Sequence, residues 1–261
     1  MTLRIGVVTD IHYGPDVDVR VGSAAADLLG RFTERMRSRF HPEVIVDLGD
    51  RINDTGEAAD RRGLGTVRRL LEAAEVPVLY ALGNHDLANV PASEACAILG
   101  KKADYEAFDV GGHRLIVLNS QDPTIERIGG ALSDSQLDWL EDELAAGSGP
   151  VIVFSHHPLD EQDPARHWYF IDHPQHAHAA NRERARRILA ASGRVKAVFN
   201  GHMHLNTVEV IDGIPYITVM SLVDAGITQI PAGCFAEVTL SGRGEVEISV
   251  GGRWPAAMAF R

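Results

Sequence analysis

Cysteine is scarce in this chain: Cys96 and Cys234 are the only two among 261 residues, far apart and without C-x-x-C spacing. That argues against a disulfide framework or a cysteine-ligated zinc, and a reducing, intracellular setting is the simplest reading. Aromatic residues make up 6% of the chain, and 25 Lys and Arg face 36 Asp and Glu, a formal net charge of −11. An acidic balance opposes binding to the polyanionic backbone of DNA or RNA, and no basic tract interleaved with aromatics offsets it, so no nucleic-acid partner is expected. Long apolar runs are missing as well. Residues 1–10 are too short for a signal-peptide core, and no run would span a bilayer, which predicts a cytoplasmic protein with no membrane partner. There is no Gly-Lys-Ser/Thr phosphate loop and no Gly-x-Ser-x-Gly elbow, and Gly63-Leu64-Gly65 lacks the third glycine of a dinucleotide motif.

With 45% apolar residues, the chain can bury a sizeable core. Short β-branched runs alternating with amphipathic patterns predict an α/β fold, with a mostly parallel sheet in the first two-thirds. Strands are expected at 3–9, 43–48, 76–82, 151–154 and 195–199, and helices at 24–40, 57–74 and 181–191. Hairpins are expected at 105–110 with 113–118, at 207–211 with 214–219, and at 234–240 with 246–250. Ser133 and Gln136 form a capping box for a further helix that should end near Gly147. No repeat or linker breaks the chain, so residues 1–261 are read as a single domain.

Five of these strands end in segments rich in Asp, Asn or His: Asp10-Ile11-His12, Gly49-Asp50, Gly83-Asn84-His85-Asp86, His156-His157 and Gly201-His202-Met203-His204. Ligands bind beyond the carboxyl ends of strands in open α/β sheets, so these loops can converge although they lie between Asp10 and His204, far apart in sequence. Together they form a metal-ligand inventory of carboxylates, an amide and imidazoles without thiolates, which suits Mn, Fe or Zn. About seven ligands are too many for one tetrahedral ion and suit two ions sharing a carboxylate. Strand-like alternation would turn Asp10 and His12 to one ion while Ile11 packs into the core, and His202 and His204 would do the same around Met203. Of the adjacent His156 and His157, one is left as ligand and the other as neighbour.

The ordered series D-x-H, GD, GNH[DE], H and GHxH resembles the calcineurin-like metallophosphoesterases, and every block is present between Asp10 and His204. The resemblance implies a four-layer α/β/β/α sandwich of two mixed β-sheets flanked by helices. It also implies that Asp10, His12, Asp50 and His204 hold one ion, that Asp50, Asn84, His156 and His202 hold the other, and that His156 is the ligand of its pair. A hydroxide between the two transition-metal ions would attack phosphorus in line, His85 would stabilise the phosphoryl oxygens and the leaving oxygen, and Asp86 would orient His85. The substrate implied is a small phosphorylated compound with a phosphodiester bond, of cyclic-nucleotide or glycerophosphodiester type. Gly49-Asp50-Arg51-Ile52-Asn53 and the tail from Gly251 to Pro255 suggest, as an alternative, a diphosphatase of ADP-ribose/CDP-alcohol type. A non-catalytic interaction scaffold on the same fold is the reading of another class, and the intact ligand set argues against it.

Residues 160–181 concentrate Trp168, Tyr169 and Phe170 with His167, His173, His176 and His178. The functional reading is a substrate rim, with His157, Trp168, Tyr169 and Phe170 as candidate substrate contacts. The plainer reading is a loop pinned by its own aromatics or a dimer contact; the sequence leaves the oligomeric state open, a homodimer included. Nothing in the sequence fixes these histidines as a third metal site. The arginines at 61, 62, 68 and 69 and at 182, 184, 186 and 187 read as solvated helix faces.

Overall fold

The computed structural model describes residues 2–242 and 244–260. Its strands are β1 (Leu3–Val8), β2 (Val44–Asp47), β3 (Val78–Tyr80), β4 (Glu106–Val110), β5 (His113–Val117), β6 (Gln121–Asp122), β7 (Thr124–Ile125), β8 (Gly129–Leu132), β9 (Val151–Phe154), β10 (Val195–Asn200), β11 (Thr207–Ile211), β12 (Ile214–Thr218), β13 (Phe235–Leu240), β14 (Val246–Gly251) and β15 (Ala256–Phe260). The helices are α1 (Ala25–Arg35), α2 (Glu57–Glu72), α3 (Asn84–Leu87), α4 (Ala92–Leu99), α5 (Asp134–Ala145) and α6 (Arg182–Ala191). One six-stranded sheet runs β15-β14-β13-β1-β2-β3, a second runs β11-β12-β10-β9-β5-β4, and β6-β8-β7 form a small sheet.

Alternation along the central strands explains the layering, because successive side chains point to opposite faces. In β9, Ile152 and Phe154 join the apolar layer between the two large sheets, while Val151 and Val153 pack outward with α5 and α6. In β5, Leu115 and Val117 face inward, and Ile116 faces outward. The outer face of the first sheet is covered by Leu29 and Phe32 of α1, Leu64, Val67 and Leu71 of α2, and Leu99 of α4. The result is two mixed sheets flanked by helices, as the resemblance implies.

The mostly parallel sheet expected for the first two-thirds is instead divided between two sheets. Periodicity identifies a strand but not its neighbours, and β1, β2 and β3 pair in parallel in one sheet while β5, β9, β10 and β12 do so in the other. The capping box is formed only in part. Ser133 Oγ accepts from Gln136 N at 3.3 Å, but the Gln136 side chain brackets the backbone of Asn119, accepting from its N at 2.8 Å and donating to its O at 2.9 Å. The expected 24–40 helix ends in a π-helical turn, Met36–Phe40, closed by His41 at φ 52°. Sequence reading assigned nothing to α4, β15 or the small sheet, whose strands of two to four residues are too short to display a period. Among the described residues, no helix is long and apolar enough to cross a membrane. The arginines read as solvated faces largely pair with acids at the surface: Arg61 with Glu57 and Glu94, Arg68 with Glu72, and Arg182 and Arg186 with Glu161.

Candidate metal centre

The carboxyl ends of β1, β2 and β3 in one sheet and of β9 and β10 in the other open on the same edge of the sandwich. Backbone hydrogen bonds carry the sheet pairing into the loops, from Asp10 N to Gly49 O (2.9 Å), His12 N to Asp50 O (3.0 Å) and Gly201 N to His156 O (3.1 Å). The side chains are aimed by another device than the strand alternation expected. Asp10, His12, Asp50, His202 and His204 all have left-handed backbone, with φ of 50°, 44°, 55°, 68° and 50°. Each such residue without glycine's freedom costs on the order of 1 kcal/mol or more, and clusters of them mark sites where the surroundings over-determine the backbone. Ile11 and Met203 are nonetheless fully buried between their ligand-type neighbours. Gly201 is required by close approach, since a Cβ there would lie 2.0 Å from Thr9 Oγ1 and 2.5 Å from Asp10 Oδ2.

Two groups of donor atoms result. In one, His204 Nε2 lies 3.2 Å from both Asp10 Oδ1 and His12 Nε2. In the other, His156 Nε2 lies 3.2 Å from Asn84 Oδ1, 3.2 Å from His202 Nδ1 and 3.3 Å from Asp50 Oδ2. Asp50 also forms a cluster with His12 and His85, so its carboxylate stands between the two groups. The rings are fixed from behind: His156 Nδ1 donates to Leu48 O (3.0 Å), His202 Nε2 to His176 O (3.0 Å) and His204 Nδ1 to Asp224 Oδ2 (2.7 Å). Because those acceptors take the ring protons, the opposite nitrogens are left to face the centre.

The pKa directions divide each facing pair of rings. Burial disfavours a charged His156, but Asp50 outweighs it and lifts the ring to about 9; for His204, burial is outweighed by Asp10 and then Asp224, giving about 10. Burial pushes their partners His202 and His12 well below the ordinary histidine range, helped by neighbouring imidazolium charge. Each pair therefore shares one positive charge where a cation fits. Imidazole nitrogens, carboxylates and an amide without thiolate match two transition-metal ions rather than calcium. A pH dependence follows. Unfolded histidine titrates near pKa 6.5, so the stability held in protonated His156 and His204 is complete below about pH 6.5 and lost as pH rises through about 9 to 10. The melting temperature of metal-free protein is expected to fall steadily between about pH 7 and pH 10; a flat profile in scanning calorimetry would contradict this charge assignment.

His85 stands at the mouth of the centre, with Nε2 4.0 Å from Asp50 Oδ2. Its Nδ1 pairs with Asp54 Oδ1 at 2.6 Å, and its Nε2 with Arg20 Nη1 at 2.9 Å. The expectation that Asp86 orients His85 is corrected. The Asp86 carboxylate is buried and fully engaged by Asp50 N, Arg51 N, Gly83 N and Arg51 Nη1, the last at 2.6 Å, so it holds the GD and GNH loops together instead. His157 as a substrate contact is also corrected. It is fully buried behind His202, with ring centroids 4.0 Å apart, and bonds Ser120 Oγ (2.9 Å) and Ile128 O (2.8 Å). Burial pushes its pKa down to about 3.

A cavity of about 340 Å³ opens above the centre, lined by His12, Asp50, Asn84, His85, His202 and His204 on its floor and by Trp168, Tyr169 and Phe170 on its wall. The rim segment is both pinned and cavity-facing. Phe170 packs on His202 and Met203, and Tyr169 OH meets His176 Nδ1 (3.3 Å), while His176 Nε2 pairs with Glu126 (2.8 Å). Trp168 stays 55% exposed at the mouth. The four rim histidines do not gather on one ion: His167 turns to His204 and Asp224, whereas His173 stacks with His176. Sequence reading missed Arg20, Asp54 and Asp224. Asp54 lies four residues beyond Asp50 in the same strand-end loop, which was a usable signal; Arg20 and Asp224 sit in aperiodic segments that offered none.

An α/β/β/α sandwich carrying two His/Asp donor groups at the strand ends is the architecture of a dimetal phosphoesterase. The chain belongs to the calcineurin-like phosphoesterase family, whose family model matches residues 3–206. It is 30% identical over 166 residues to a probable cyclic nucleotide phosphodiesterase of Synechococcus, covering 60% of this chain and 59% of that one. It is 28% identical over 217 residues to a cAMP/cGMP dual specificity phosphodiesterase of Mycobacterium tuberculosis, covering 80% and 64%. It is also 33% identical over 205 residues to the serine/threonine-protein phosphatase CPPED1 of Mus musculus, covering 72% and 60%. The chain thus spans about three-fifths of the length of these relatives. Its fold superposes on a dimetal phosphatase from Danio rerio with a TM-score of 0.80 at 20% identity, over 99% of this chain and 98% of that one.

Proposed function

We propose that this chain is a metal-dependent phosphoesterase that hydrolyses a phosphodiester bond in a small nucleotide-like substrate, a cyclic nucleotide being the leading candidate. The observation that carries the reading is the pair of donor groups, Asp10/His12/His204 and Asn84/His156/His202, on either side of Asp50 at the floor of an aromatic-walled cavity. Asp10, His12, Asp50 and His204 would hold one ion, and Asp50, Asn84, His156 and His202 the second. When bound, such ions supply water activated near neutral pH and Lewis-acid neutralisation of charge on the phosphoryl oxygens. The cavity's volume of about 340 Å³ and the Trp168 and Tyr169 rings on its wall suit a planar base beside the phosphate, and relatives named as cyclic nucleotide phosphodiesterases favour the same class.

The protein's own groups divide the work. Leu48 O, the His176 carbonyl and Asp224 hold the histidine rings in one orientation each, so no reorganisation is needed as charge develops. His85, held at Nδ1 by Asp54, would present Nε2 to the leaving oxygen in place of its bond to Arg20. Phe170 and Trp168 narrow the mouth and limit water around the phosphate. The test is a panel of bis-p-nitrophenyl phosphate, p-nitrophenyl phosphate, cyclic AMP, a glycerophosphodiester and ADP-ribose, with metal-stripped protein reloaded in turn with Mn, Fe, Zn or Mg. Metal-restored turnover of the diesters, cyclic AMP among them, is expected. Turnover of ADP-ribose alone would move the assignment to a diphosphatase, and failure to bind metal at all would move it to a scaffold.

A further inference from the structure

Arg20 is a half-buried residue on the cavity wall that, among the described residues, forms no direct ion pair, its nearest electrostatic partner Asp54 being engaged by the far side of the His85 ring. Its Nη1 donates to His85 Nε2 at 2.9 Å, and a guanidinium only donates, so its bonded partner is a neutral ring nitrogen. Among the described residues no carboxylate oxygen lies within 4.0 Å of its nitrogens, whereas Arg51 holds Asp47 at 2.7 Å and Arg35 holds Glu237 at 2.6 Å. An arginine that faces a cavity with no carboxylate bonded to its fork can take an anion there, and that planar fork matches two oxygens of a phosphoryl group.

The position is built by the fold. Arg20 and Val17 exchange backbone hydrogen bonds of 2.8 and 3.0 Å, while Val21 N donates to Val223 O and Ala225 N to Val19 O. The segment gripping the arginine loop is therefore the one whose Asp224 holds His204. His85 Nε2, the current partner of Arg20, is 4.0 Å from Asp50 Oδ2, which sets the guanidinium one layer outward from the donor groups. His167, on the same cavity, accepts from Tyr169 N at Nδ1 and leaves Nε2 buried without a partner, a second donor free for an oxyanion.

We propose that Arg20 is a substrate-binding residue: an unesterified phosphoryl oxygen draws its guanidinium away from His85, and the exchange leaves His85 Nε2 free to face the leaving oxygen. This rests on the phosphoesterase reading for its substrate and on the cavity geometry for its anion. The test uses metal-loaded protein, inorganic phosphate as the probe by calorimetry, and steady-state kinetics on whichever panel substrate is turned over. For Arg20→Ala, metal content should be unchanged, phosphate affinity and kcat/KM should each fall about 10- to 100-fold, and added guanidinium should restore part of the rate. Arg20→Lys, which keeps charge but loses the fork, should fall between wild type and Arg20→Ala, and it decides the question if the alanine variant loses metal or fold. Wild-type phosphate affinity and kcat/KM in either variant with metals retained would overturn the proposal while leaving the phosphoesterase reading intact. Arg20-dependent phosphate binding in a protein that hydrolyses nothing would do the reverse.

Discussion

Asp50→Ala is expected to strip metal from both positions and to lower turnover at least about 10³-fold, more than the loss of a single charge-stabilising donor usually costs. The reason is placement. Asp50 Oδ2 is 3.3 Å from His156 Nε2, and the same carboxylate clusters with His12 and His85, so one side chain serves both donor groups. Burial alone would raise its pKa, yet His156 and His85 hold it well below the ordinary carboxylate range, so it is an anion ready for a cation. Asp50 Oδ1 also accepts from His85 N at 2.8 Å, and Asp50→Asn is the companion variant that keeps an acceptor there. Metal analysis of both variants, with circular dichroism to verify folding, checks the result; retention of two ions by Asp50→Asn and Asp50→Ala alike would remove Asp50 from the shared position.

His85→Ala should behave differently, keeping both ions while lowering turnover about 10²- to 10⁴-fold, the span of a lost general acid. His85 is partly exposed, and its two ring nitrogens are taken by Asp54 and Arg20. The two variants separate a group that holds metal from one that meets substrate. Loss of an ion from His85→Ala would make His85 a ligand, which its cluster with His12 and Asp50 makes a meaningful outcome.

How much of this was legible beforehand depends on what kind of signal each residue leaves. The seven ligand-type residues follow short apolar, β-branched runs, so the ends of runs such as 3–9 or 151–154 announced where a strand would stop and a loop begin. Their backbone geometry was not legible, because left-handed φ at Asp10, His12 and His204 is imposed by neighbouring loops rather than by local propensity. Asp86 was misread for a related reason. Adjacency to His85 in the GNHD run suggested contact, but α3 begins at Asn84, and its first turn sends Asp86 back to the amides of Gly83, Asp50 and Arg51. His157 was misread because sequence does not show that the neighbour of a ligand is buried as well; in the bend after β9 both histidines are fully buried, His156 at the centre and His157 behind it. Arg20 and Asp224 belong to segments whose order comes from each other, through the Val19 to Ala225 and Val21 to Val223 hydrogen bonds. Such mutual pinning leaves no trace in a single sequence.

The donor atoms are contributed by both large sheets: Asp10, Asp50 and Asn84 follow strands of one, His156, His202 and His204 strands of the other. Away from this edge, the sheets meet through an apolar layer to which Val7 and Val46 come from one sheet and Phe154 and Phe199 from the other, a contact that is adhesive but without direction. A pair of ions at the strand ends would therefore also be a clasp across the sandwich, directional where the apolar layer is not. It would fix the slide of one sheet over the other, and with it the spacing of the groups that would receive the phosphate.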